Sequence, residues 1–162
     1  MAILPQLLEE DLGALDGALR ELLLKCEASL ALLIDKGGFI ITFCGQDPLL
    51  LDTTTLAALS AASFAATQGI ASLIRETNFS SVYQQGENTS VLVLNVDEFC
   101  LLAIMFDAHL SAGAVKFYAA LAVKQIARQL TQAHQRTPTL GLDLSLLDLA
   151  NTGPLFRKKQ VA

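Results

Sequence analysis

Apolar residues recur along this chain in two rhythms, one helical and one strand-like. From Leu8 they fall at steps of mostly three and four, through Leu12, Leu15, Leu19, Leu22, Leu23 and Cys26, which lines them along one stripe of a helix. Glu9, Glu10 and Asp11 near its start and Lys25 near its end suit the helix dipole, and Pro5 limits extension backward. The rhythm then changes. Leu30 to Ile34 (LALLI) is an unbroken apolar run, as expected of a strand covered on both faces. Asp35-Lys36-Gly37-Gly38 reads as a hairpin turn whose glycines supply positive φ, and Phe39 to Cys44 (FIITFC) as the returning strand.

The longest periodic stretch follows the loop at 45–51. Asp52, Thr53 and Thr54 are capping residue types, and about six proline-free turns run on toward Thr77 and Asn78. Leu56, Leu59, Ile70, Leu73 and Ile74 gather on one face, expected to lie on a sheet. Ala58, Ala61, Ala62, Ala65, Gly69 and Ser72 fall at spacings of three and four and leave another face nearly bare. One reading is an Ala-rich helix favoured by propensity alone; the other is a ridge whose backbone a partner can approach closely.

Three strands come next: Ser81 to Gln85, Val91 to Val96 and Phe99 to Phe106, separated by turns at 86–88 and 97–98. The first is short and reads as a sheet edge open to pairing with a second chain. A last helix runs from about Ser111 to Gln135, with Val115, Tyr118, Ala119, Ala122, Ile126 and Leu130 as its core stripe. Lys116, Lys124 and Arg128 share another face, either solvated or attractive to an acidic partner. The order predicts an α+β sandwich, αββαβββα. Its five-stranded antiparallel sheet carries helices on both faces, the second helix on one and the terminal helices on the other.

Pro138 ends that helix and divides the chain into a domain over 1–136 and a leucine-rich tail over 137–162. Gly141, Gly153 and Pro154 limit any helix in the tail to about two turns. The tail is expected to dock on its own domain or to serve as a short linear element for a partner.

Composition narrows the function. Apolar residues make up 52% of the 162, yet the longest continuous apolar run is only strand-sized, so the excess points toward oligomerisation rather than a membrane span. MAILPQLLEED lacks the basic region and cleavage site of a signal peptide, which predicts a cytoplasmic protein. A net charge of −5 argues against nucleic-acid binding. Cys26, Cys44 and Cys100 fit neither a disulfide framework nor a metal pattern and read as free buried thiols.

No catalytic constellation emerges. His109 and His134 have no ligand partner at metal spacing, there is no G-x-S-x-G elbow, and Gly37-Gly38 lacks the rest of a phosphate loop. Asp35, Asp97 and Asp107 read as turn carboxylates. Arg75 is either a helix-terminal charge or a cation offered to a nucleotide-binding partner. The expected class is a non-enzymatic interaction protein with no cofactor and no metal.

LALLIDKGGFI (30–40), the run from Leu51 to Ile74, QQGE (84–87), IMFD (104–107) and SAGAVKFYAALAVKQIARQL (111–130) together resemble the roadblock family over roughly residues 8–135. The resemblance implies a homodimer in which the second helix and the edge strand at Ser81, Val82, Tyr83, Gln84 and Gln85 meet across a two-fold. It further implies that a Ras-like small GTPase docks on the shared helical face, at Ala58, Ala61, Ala62, Ala65, Gly69 and Ser72. Bacterial members of this kind stimulate GTP hydrolysis without supplying an arginine and act in cell polarity or motility, which makes the cell pole an expected location. A scaffold that binds a GTPase or another roadblock chain without stimulating it is the alternative. Phe64 and Arg75 depart from the family's usual residues at their positions.

Overall fold

The computed structural model describes residues 4–46 and 52–136, so the leucine-rich tail lies outside the described residues. The chain runs α1 (Glu9–Cys26), β1 (Leu30–Asp35), β2 (Ile40–Gly45), α2 (Thr53–Leu73), β3 (Ser81–Gln84), β4 (Thr89–Asn95), β5 (Cys100–Asp107) and α3 (Ala112–Arg136). One five-stranded sheet, in the order β2-β1-β5-β4-β3, is antiparallel throughout. The predicted α+β order is present, with β2 and β3 as the two edges.

The unbroken apolar runs of β1 and β5 are explained by two separate cores. Ala31, Leu33, Leu102, Ile104 and Phe106 point to one face, where Leu15, Leu19 and Leu22 of α1 and Val115, Ala119, Ile126 and Leu130 of α3 cover them. Leu30, Leu32, Ile34, Leu101, Ala103 and Met105 point to the other, against Ala57, Ala61 and Phe64 of α2. Strand geometry sends successive side chains to opposite faces, so a central strand with helices on both sides has no place for a polar residue.

α1 and α3 are pinned at one end by a polar knot. Asp11, fully buried, accepts a hydrogen bond from the Leu8 backbone N–H at 2.8 Å and another from Gln129 Nε2 at 2.7 Å, and it pairs with the Arg136 guanidinium. Arg136 also reaches Glu10. Asp11 is therefore a buried bridgehead rather than only a dipole-favoured acid, while Leu8 and Leu12, expected in the stripe, are exposed. The Leu8 amide bond, helped by Gln129 and Arg136 and opposed by burial, holds the Asp11 carboxyl below its usual range.

α2 begins at Asp52, whose carboxylate accepts from the Thr55 amide at 3.1 Å and the Thr55 hydroxyl at 2.5 Å. It ends earlier than its periodicity implies. Arg75 adopts φ 60° while its N–H donates to Ser72 O and the Glu76 N–H to Ala71 O, the paired bonds of a Schellman stop. By length and composition alone α2 could cross a membrane. It lies instead on the sheet, with Phe64 as its one large buried side chain.

Two outcomes follow from this packing. Phe64→Ala should destabilise the fold by about 3 kcal/mol in urea unfolding, the low end for such a truncation because a cleft already opens beside the ring. Asp11→Asn should destabilise at neutral pH. A depressed carboxyl stabilises the fold above about pH 4 and loses that contribution as pH falls through the folded-state value. The gap between wild type and Asp11→Asn in unfolding midpoints should therefore shrink on acidification.

Candidate functional site

At about 100° per residue, α2 divides into a sheet-facing side and two flanks. Ala57, Ser60, Ala61, Phe64 and Ala71 face the sheet. The flank bearing Leu56, Ser63, Thr67, Ile70 and Ile74 looks toward β3, a direction fixed by the hydrogen bond from Gln84 Nε2 to Ser63 Oγ at 3.4 Å. The flank bearing Ala58, Ala62, Ala65, Gly69 and Ser72 looks toward the β1–β2 turn. There the backbone of Gly38 (φ +92°) comes so close that a Cβ would stand 2.8 Å from Ala58 Cα.

This arrangement corrects the expected orientation. The large residues do not glue α2 to its own sheet: Leu59, Ile70, Leu73 and Ile74 are 63%, 51%, 84% and 62% exposed, and only Leu56 packs against the core. Small residues make the sheet contact because a helix sits closest where its side chains are shortest. Ala61 is one of them. Only 4% exposed, it is covered by its own domain and does not belong to the open ridge. Ala58, Ala62, Ala65, Gly69 and Ser72 are exposed, and a Cβ at Gly69 would meet nothing within 4 Å.

β3 is the sheet edge next to the greasy flank. Ser81, Val82, Tyr83 and Gln84 pair with Leu94, Val93, Leu92 and Val91 of β4 and leave their other side open, while Gln85 lies just past the strand. Val82 packs toward α2, and the Tyr83 ring stacks on Phe106 at 6.2 Å with much of its surface exposed. An open strand edge beside exposed Ile70 and Ile74 is one continuous apolar border.

On the other flank, beside Ala65, a cleft of about 400 Å³ opens between α2, the β1–β2 turn, the end of β4, the start of β5 and the segment leading into β3. Ala61, Phe64 and Leu101 form an apolar lining, with Lys36, Gln68, Asn78, Ser80 and Asn95 around them. Periodicity cannot reveal this cleft, because its polar wall comes from a turn, a loop, the end of β4 and one residue of α2 that are far apart in the chain. Its one trace in the sequence is a lysine in a turn that the neighbouring glycines already explain.

The remaining candidates do not assemble into a site. Among the described residues no group of His, Cys, Asp and Glu could hold a metal ion. His134 stacks on Phe99, and the three cysteines are free. Burial pushes the Cys100 thiol up to about 12, which makes it a poor nucleophile. Asp35 and Asp97 accept backbone amides within their own turns, as solvated turn carboxylates do. Arg75 is exposed at the end of α2, beyond the bare flank.

The same architecture recurs in known proteins. A structure described as MglB with tetrameric arrangement aligns at a TM-score of 0.76 and 31% identity, covering 82% of this chain and 99% of that one. The gliding protein MglB of Thermus thermophilus aligns at 0.75 and 30% identity, and Myxococcus xanthus MglB at 0.74 and 28%, each with the same coverage. No curated protein sequence matches the chain. The Roadblock/LC7 domain profile matches residues 15–106, from the middle of α1 to the end of β5. With that match spanning more than half of its length, the chain belongs to the Roadblock/LC7 domain family.

Proposed function

We propose that this chain is a homodimeric regulator of a Ras-like small GTPase, binding the GTP-bound form and accelerating hydrolysis. The observation that carries the reading is the division of α2 into two unlike flanks. The apolar one, with exposed Ile70 and Ile74 and with Leu59 on the outward side next to them, adjoins the open edge of β3 and suits burial against a second copy of the same surface. Joined edge to edge, two such sheets would run on as one, with the paired α2 helices on a common face. The bare flank points away from that border and stays accessible.

Ala58, Ala62, Ala65, Gly69 and Ser72 would meet the GTPase there, since short side chains let a switch segment lie close to the helix. MglB-like kinship supports a partner of the MglA type, and the gliding-protein name of the Thermus relative supports a role in bacterial motility or polarity. The chain would act by holding the GTPase so that its own catalytic groups face the γ-phosphate and attacking water, which is positioning rather than chemistry.

Each flank has its own test. Ile70→Asp combined with Ile74→Asp should convert a dimer to a monomer in sedimentation velocity while far-UV circular dichroism stays unchanged. Ala65→Arg or Gly69→Arg should leave the dimer intact and weaken GTPase binding about 30-fold, the scale of an interface hot spot. Stimulated GTP turnover by the wild-type chain supports an activator. Tight binding with unchanged turnover would make it a scaffold instead. Undiminished binding by both arginine variants would overturn the footprint.

A further inference from the structure

The cleft beside the bare flank has the anatomy of an anchor pocket rather than of a packing defect. Its floor is apolar, from Phe64 and Leu101, and it lies beside Ala65. Its lining contains one cation, Lys36, and no acid, in a chain whose net charge is −5. Neither neighbouring carboxylate is ion-paired with that cation: Asp35 accepts the Phe39 amide at 2.9 Å, and Asp97 the Phe99 and Cys100 amides, both at 2.8 Å. The Lys36 ammonium and the Asn95 side chain make no hydrogen bond or ion pair among the described residues. Gln68 is held in place because its amide donates to Phe79 O at 3.1 Å.

We infer that this cleft receives an acidic–apolar pair of side chains from the GTPase docked on α2. The apolar member fills the space over Phe64 and Leu101, and the neighbouring carboxylate pairs with Lys36 at the mouth. The inference rests on the proposed GTPase partnership and adds what the bare flank alone does not provide. A smooth alanine surface permits approach by many partners. A pocket with an apolar floor and a single cation selects among them, because a basic or small side chain at that place leaves the lysine unpaired or the floor empty.

The test measures affinity of the intact chain for its GTPase at two salt concentrations, with dimerisation followed in parallel. Lys36→Glu should weaken binding about 30-fold, Lys36→Gln less, and both should flatten the salt dependence that the wild type shows. Asn95→Trp, which fills the cleft without changing charge, should weaken binding to a similar degree. If the wild type binds and Lys36→Glu and Asn95→Trp bind equally well, the pocket is wrong while the α2 footprint stands. If the wild type does not bind a GTPase, the reading beneath the pocket fails and the pocket with it.

Discussion

Everything on the α2 side of this sheet depends on a short-range contact between small side chains. Ala57 and Ala61 bring the helix close to the sheet, and Phe64 alone reaches deep. Close approach fixes the rotation of the helix, and the rotation decides which residues stay out. Were α2 seated on its leucines and isoleucines, the helix would stand further off and the alanines would face solvent all round. As built, the bulky residues are displaced sideways toward β3 and the bare strip toward the β1–β2 turn. The Gly38–Ala58 contact holds that setting from the other side, since no residue with a Cβ fits the gap.

The fold is legible because most of its signals are local. LALLI and the 99–106 run suit only strands covered twice, and the two terminal helices carry clean stripes. The rotation of α2 is not legible. Hydrophobic periodicity assigns the larger residues to the interior, and that rule presumes a helix with one neighbour. α2 carries a second apolar surface as well, so most of its leucines and isoleucines stand outside its own domain while methyl groups and one phenyl ring serve within it. Ala61 is misassigned for the same reason: among alanines at steps of three and four, spacing alone does not say which one touches the sheet.

Asp11 shows a different limit. An acid in the first turn of a helix is explained well enough by the dipole, and nothing in the sequence ties it to Gln129 and Arg136, more than a hundred residues away. The cleft beside Ala65 is hidden likewise, assembled from Lys36 in the β1–β2 turn, Asn95 and Leu101 on neighbouring strands, α2 and the stretch before β3. Long-range polar meetings of this kind leave no period to read.

The two covers of the sheet are fastened unequally. α1 and α3 hold theirs with long aliphatic side chains and a buried aspartate paired to an arginine at one end, whereas α2 holds its own with methyl groups and a single ring. Local opening takes less free energy where less apolar surface is lost, so α2 is the cover that lifts more readily.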